Sequence, residues 1–277
     1  MVFDIKNISC SYSKNGPIIL NIKELVLKKG NLNFIIGKSG IGKSTFLETI
    51  GMMSNTIRNT KSNPESHFYF AGNSNSKLNL LDFWGKDERF ISNLRRKFFS
   101  FLFQNTNLMD SMTVFENIML PQLMSGIDWK TAEKNTHNIL NELNLIGFNE
   151  NTRINNISGG QKQRVAFCRA LAKPFTVLFG DEPTGNLDEM NAKNLIKVLK
   201  NNINENNTAI IVSHDLDLAL NFADKIIMIK TQNNNNLSYG LIDSTSSFTF
   251  QNNLWSNNQF EFNNSEMREY LYVELNK

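Results

Sequence analysis

The stretch LNFIIGKSGIGKSTFLETI, residues 32–50, limits the fold of this chain more than any other. An apolar run ends on Gly37, a short loop follows, and a second glycine, Gly42, precedes Lys43 and Ser44 in the spacing G-x-x-x-x-G-K-S/T. The run reads as a strand covered on both faces, and the residues from Lys43 to Met53 read as a helix. Glycines let backbone N–H groups curl around phosphate oxygens, and the helix start adds the positive end of its dipole. The expected phosphate cradle is Gly37, Lys38, Ser39, Gly40, Ile41, Gly42, Lys43, Ser44 and Thr45. Lys43 is placed to reach the β- and γ-phosphates, and the Ser44 hydroxyl to ligate Mg²⁺. A purely structural glycine turn would not need the strand before it and the helix after it.

Further short apolar runs recur at Phe98–Phe103, Thr176–Asp181, Ala209–His214 and Lys225–Lys230. Helical patterns lie between most of them, at Gly159–Ala172, Asn191–Ile203 and Leu216–Asp224. Strands alternating with helices predict an α/β fold with a mainly parallel sheet. Two segments break the rhythm. From about 105 to 157 there is no strand run, and TVFENIMLPQLM and TAEKNTHNILNELNLIG read as amphipathic helices, so an inserted helical subdomain is expected. Residues 54–88 are polar and rich in Asn and Ser, as in a variable antiparallel or loop region. After Gln232 the pattern weakens. The division expected is therefore a phosphate-loop domain over 1–232 and a loosely specified C-terminal extension over 233–277. Asparagine clusters such as 233–236 read as compositional bias that marks loops.

Composition excludes more than it assigns. A length of 277 residues fits one large domain, with or without a subdomain. A net charge of +3, with 20% charged residues, gives no argument for nucleic acid as a partner. No window approaches 18 uninterrupted apolar residues, so no membrane-spanning helix is predicted. The start, MVFDIKNISC, lacks the layout of a secretory signal, and the chain is expected in the cytoplasm. Cys10 and Cys168, without CxxC spacing, are expected as buried reduced thiols.

In TVLFGDEPTGNLD two acids stand at the end of an apolar strand. Asp181 falls at the carboxyl edge, where open parallel sheets bind ligands, and there it would hold Mg²⁺ through water. Its neighbour Glu182 is placed to act as a general base on water attacking the γ-phosphate. His214 closes the next apolar strand and should emerge on the same edge, where it would hydrogen bond the γ-phosphate. Taken alone, the acid pair would read as a solvated turn and the histidine as structural; the phosphate loop upstream changes both readings. His67 and His137, in polar contexts, are read as structural.

The stretch ISGGQKQRVAFCRALAKP, Ile157–Pro174, reads as an exposed helix start. Ser158 and Gln161 fit the S-x-x-Q capping box, while Gly159 and Gly160 leave the first turn bare and suited to an anion. Two glycines inside a first turn cost helix stability, about 1 kcal/mol each, which an ordinary capped helix has no reason to accept.

Taken together, these residues resemble the ATP-binding subunit of an ATP-binding cassette (ABC) transporter over about Phe3–Ile229. Ile157, Ser158, Gly159, Gly160 and Gln161 stand where the family carries its L-S-G-G-Q signature. The resemblance implies a P-loop core with an N-terminal antiparallel β-subdomain. It also implies that Gln104 senses Mg²⁺ and the attacking water, that Asp188 belongs to the D-loop, and that adenine stacks on Tyr12. Two ATP molecules would lie head to tail in a homodimer, or in a pair with a homologous subunit, each facing the partner's signature. Separate transmembrane permease subunits would hold the chain at the inner face of the cell membrane. FQNTNLMDSMTVFENIMLP and DEPTGNLD look like the group of lipoprotein-release, macrolide-export and cell-division ATPases. A non-transport role as a cell-division regulator is the alternative that group carries. Three departures stand out: Lys38 in the phosphate loop, Gly180 where a larger residue is usual and whose size should loosen strand packing, and TQNNNN in place of a D-G turn.

Overall fold

In the computed structural model, which describes residues 1–58, 64–72, 77–85, 87–145, 147–148, 151–234 and 237–276, the apolar runs become the centre of one twisted sheet. The chain opens with β1 (Phe3–Cys10), β2 (Leu20–Leu27) and β3 (Leu32–Gly37), followed by α1 (Lys43–Ile50). Short strands β4 (Ile57–Arg58), β5 (His67–Phe70) and β6 (Leu78–Asn79) come next, then α2 (Glu88–Phe98) and β7 (Phe99–Leu102). The helices α3 (Val114–Met124), α4 (Trp129–Glu142) and α5 (Gly159–Ala172) precede β8 (Val177–Asp181), α6 (Glu189–Asn201), β9 (Thr208–Val212) and α7 (Leu216–Phe222). The chain ends through β10 (Lys225–Asn234), β11 (Leu237–Ile242), β12 (Ser247–Gln251), β13 (Leu254–Ser256), β14 (Glu261–Phe262) and α8 (Asn264–Asn276).

Five strands, β7, β8, β9, β3 and β10, lie side by side in parallel, as their near-continuous apolarity predicts. Every residue of β3 and β9 is buried. The antiparallel part is built on β1, which pairs with β2, β4 and β5. Its apolar face meets the parallel strands through an aromatic cluster in which Phe99 lies 5.1 Å from Phe179 and Phe3 lies 5.3 Å from Phe70, centroid to centroid. On the opposite face, α5 packs between the sheet and the helical insert, burying Val165 and Phe167 with Val114, Ile118 and Leu140.

Three differences from the sequence reading have physical causes. First, β10 passes Gln232 without a break, continues through Asn234, and pairs with β11, which in turn pairs with β2 at Gly240–Ile242. The chain beyond 232 thus joins the two parts of the sheet, and Phe248, Trp255, Met267 and Leu271 are buried in the same core as α5. Short strands separated by asparagines carry too few apolar residues in a row to read as periodic. Of the cluster at 233–236, Asn233 and Asn234 are strand, and 235–236 lie outside the described residues. Second, α2 forms in a segment with only Ile91 and Leu94 buried, started by Asp87, whose carboxylate accepts from Phe90 N at 2.8 Å. The antiparallel part of 54–88 forms as expected, with 59–63, 73–76 and 86 outside the described residues. Third, Gly180 does not loosen β8: a Cβ there would stand 2.6 Å from Ile211 Cδ1, so the larger side chain on β9 already fills the space.

The cysteines are free and buried as predicted. Burial pushes the Cys10 thiol up to about 11 and the Cys168 thiol higher still. His67 pairs with Asp4 at 3.1 Å and stacks on Tyr69, and His137 packs against Phe115, so both are structural. Among the described residues no helix is long and apolar enough to cross a membrane.

Candidate nucleotide site

The carboxyl ends of β3, β8 and β9 meet at one edge, and each carries a chemical group. After β3 the chain turns through Gly40, at φ 74°, and Gly42, at φ 101°, conformations that a side chain would strain. Nothing lies within 4 Å of where a Cβ would stand on Gly40, so the loop has an open concave face. Lys43, 7% exposed, bends back over the loop and donates to the carbonyls of Gly37 and Lys38, both at 2.9 Å. Burial lowers its pKa, and the nearby Glu182 and Asp181 oppose that shift. An ammonium buried against neutral carbonyls is poorly compensated, and a phosphate oxygen is the counter-charge that suits it.

Beside it the Ser44 hydroxyl neighbours the Asp181 carboxylate. Burial raises the Asp181 pKa, with the Ser44 hydrogen bond and the Lys43 charge working against it. Among the described residues there is no cluster of three or more His, Cys, Asp or Glu side chains that would form a protein-made metal cage. One hydroxyl and one carboxylate at the mouth of a phosphate loop are instead a donor set of the kind Mg²⁺ shares with nucleotide oxygens and water, so the residues fit the ion.

Glu182 follows Asp181 in an unusual conformation, φ 46°, anchored by its own N–H on Val212 O at 3.0 Å. That twist turns its carboxylate away from the strand and toward β9, where Oε1 stands 3.1 Å from His214 Nε2. The approach is off the hydrogen-bond direction, so the buried Oε1 keeps an unused acceptor. Burial raises the Glu182 pKa, while the His214 ring, the His214 backbone N–H and Lys43 pull it down. A half-buried carboxylate with a raised pKa, a free acceptor and a neighbouring imidazole is what a base poised to hold a water requires.

Tyr12, from the loop after β1, is 54% exposed, and its hydroxyl reaches Thr45 Oγ1 at 3.2 Å and Glu48 Oε2 at 3.1 Å. The ring thereby stands beside α1 with a free face, at the phosphate loop. Gln104 stands just past β7. It lines a cavity of about 430 Å³ with Gly159, Gly160, Gln163 and Asn186, and makes no side-chain hydrogen bond among the described residues.

The helix start of α5 forms as its sequence predicts. Ser158 Oγ accepts from Gln161 N at 3.3 Å and Gln161 Oε1 accepts from Ser158 N at 2.8 Å. No atom lies within 4 Å of a Cβ built on Gly159, and Gly160 meets only Leu187, at 3.6 Å. The first turn is therefore open to whatever approaches it. Asp188 is occupied as the N-cap of α6, accepting from Asn191 N at 3.0 Å and Asn191 Nδ2 at 2.6 Å, and these bonds lower its pKa.

One residue of the site is missed by sequence reasoning. Gly240, on β11, presses on the phosphate loop: a Cβ there would fall 2.3 Å from Ile41 O. Its signal, a lone glycine in an apolar strand, marks close backbone approach, but it lies beyond the expected domain boundary.

Residues 20–185, from β2 through the Glu182 turn, match the family described as ABC transporter. The chain belongs to the ABC transporter family. It is an ATP-binding cassette and an ATPase. The lipoprotein-releasing system ATP-binding protein LolD of Ehrlichia canis is 36% identical over 221 residues, covering 79% of this cassette and 91% of the relative. The macrolide export ATP-binding/permease protein MacB of Neisseria meningitidis serogroup B is 31% identical over 231 residues. This cassette spans about a third of the length of that relative, 33%. The dimeric post-hydrolysis structure of the ATP-binding cassette MJ0796, bound to ADP and Pi, superposes with TM-score 0.66 at 30% identity, covering 82% of this chain and 93% of the other.

Proposed function

We propose that this cassette is one half of an ATP-driven clamp that powers export or extraction by separate membrane subunits. The observation that carries the reading is the division of the site between two surfaces. One surface holds Lys43, Ser44, Asp181, Glu182 and His214 at the phosphate loop. The other holds the open, capped helix start at Ser158–Gln161. The second surface offers free N–H groups and a positive dipole end, which suit the γ-phosphate of a nucleotide bound to another copy.

In this arrangement Tyr12 carries adenine, and Gly37 to Thr45 wrap the phosphates. Lys43 leaves the carbonyls of Gly37 and Lys38 for the β- and γ-phosphate oxygens. Ser44, Asp181 and, through its loop, Gln104 would hold Mg²⁺, which neutralises charge on the phosphate oxygens when bound. Glu182 accepts a proton from the attacking water through its unused Oε1, and His214 fixes that carboxylate while facing the γ-phosphate. Asp188 sets the start of α6 at the seam between copies. Closure of the pair would be passed through the helical insert to the permease subunits, at the inner face of the membrane. That LolD and MacB carry transport names supports a transporter over a cell-division regulator.

The test is dimerisation of Glu182→Gln at saturating MgATP, followed by sedimentation velocity. The clamp requires a nucleotide-dependent dimer in this variant; a monomer at every nucleotide concentration sinks it.

A further inference from the structure

Two polar side chains of α5, Gln163 buried and Arg169 half-buried, tie its start to both the Glu182 turn and the Gln104 loop of the same copy. Gln163, 1% exposed, donates from Nε2 to the carbonyl of Pro183 at 2.5 Å. Pro183 is the residue directly after Glu182, so this bond grips the turn that holds the base at φ 46°. The other amide atom, Oε1, is buried without a partner, which for a side chain used only to fill space is a needless cost. Six residues on, the half-buried Arg169 sends Nη1 to Asn107 O at 2.6 Å and Nη2 to Thr106 O at 2.7 Å. Those carbonyls belong to the loop that begins at Gln104, and Asn107 turns through φ 49° to present its oxygen. The far end of that loop is pinned to α3, where Asn117 exchanges bonds with Met109 N and O at 2.8 and 3.1 Å.

The Arg169 charge is bonded to carbonyls and not to a carboxylate, and burial lowers its pKa. For a guanidinium this is a costly arrangement, held for geometry: two donors in a fixed fork meet two carbonyls of consecutive residues. A helix is stiff over two turns, so a displacement of the Ser158–Gln161 end is carried to both contacts with little loss.

We infer that Gln163 and Arg169 are positioning residues that make α5 a rigid coupler, so that contact at Ser158–Gln161 sets the Glu182 turn and the Gln104 loop together. This deepens the clamp reading and rests on it. Neither residue touches nucleotide; each acts through the loop whose carbonyl it holds.

Loss of the donors tests it. In the full chain, Gln163→Met and Arg169→Met are expected to lower kcat for ATP at least tenfold while KM stays within threefold of wild type. The double variant should fall no further than the worse single, since both act through one helix. Arg169→Lys, which keeps the charge but not the fork, should recover only part of the loss. Wild-type kcat in either single variant, or KM and melting temperature worsening in step with kcat, overturns the inference. Where a variant does not fold, hydrogen exchange of the wild type with and without MgATP decides: segments 104–109 and 183–187 must gain protection together with 159–164, and separate responses overturn it. Should Glu182→Gln fail to dimerise, the clamp itself falls; should it dimerise while the α5 variants keep full activity, only the coupler falls.

Discussion

Glu182 Oε1 stands 3.1 Å from His214 Nε2 across the seam between β8 and β9, two strands whose pairing sets Asp181 opposite Val212. The contact exists because Glu182 sits in a left-handed conformation, which for a residue with a side chain costs about 1–3 kcal/mol and is kept where a site needs it. A carboxylate buried in this way is unfavourable for the empty protein and useful for catalysis, and that opposition can be measured.

Replacing Glu182 by Gln should abolish hydrolysis and raise the melting temperature of the nucleotide-free chain by about 2 °C, the response of a domain this size to ~1 kcal/mol. The sign depends on pH. Because burial raises the Glu182 pKa in the folded state, its contribution to stability is full below the unfolded carboxylate pKa and is lost as pH rises through the folded value. The stability gain of the variant should therefore be present at neutral pH and vanish in acid. A differential scanning calorimetry series from acid to neutral pH checks it.

The acid limb of hydrolysis should lie above the ordinary glutamate pKa of about 4.3, because Glu182 must be ionised to accept a proton. His214→Ala removes an influence that lowers that pKa, so the limb of the residual activity should move to higher pH. A kcat profile against pH reads both positions; a limb that stays in place in the variant would remove His214 from this role.

Gly240→Ala should weaken ATP binding although Gly240 lies in the C-terminal region. Its Cβ would press to 2.3 Å of Ile41 O and 2.7 Å of Ile229 Cγ2, an overpacking expected to cost about 1–3 kcal/mol and to be shared by the phosphate loop. Calorimetric titration with ATP should show affinity falling roughly fivefold or more, together with a lower melting temperature.

Tyr12→Ala should reduce ATP affinity by about tenfold or more, in line with ~1–3 kcal/mol for a base stacked on an aromatic ring. Tyr12→Phe loses the exposed hydroxyl contacts with Thr45 and Glu48 but keeps the ring, and should bind within about threefold of wild type. Equal losses in both variants would assign the affinity to the hydroxyl.

Ser158→Ala removes one arm of a capping box and should cost about 1 kcal/mol of stability. ATP binding to a single copy should be unchanged, while hydrolysis by the pair is abolished. Filter binding and steady-state turnover, measured on the same preparation, separate the two.

The phosphate loop, the acid pair and the histidine were legible because each is a local pattern: a glycine spacing between a strand and a helix, or a polar group closing an apolar run. The capping box at Ser158 was legible for the same reason. The placement of Gln104 beside Gly159 and Gly160, the pressure of Gly240 on Ile41, and the filling of Gly180 by Ile211 were not, since each joins residues far apart in sequence. The order of the C-terminal region is not legible locally, because it comes from Phe248, Trp255 and Met267 meeting a core built earlier in the chain.

By itself the sequence determined which groups face the carboxyl edge of the sheet, because strand direction and period 2 leave a residue at a strand end little choice. Only the tertiary structure decided which of them touch. The twist at Glu182 and the neighbouring position of β9 bring its carboxylate to His214, and the burial of α5 between sheet and insert brings Gln163 to Pro183 and Arg169 to the Gln104 loop. Contacts of that kind depend on packing distances between elements, and packing is a property of the whole core, which no local run of residues encodes.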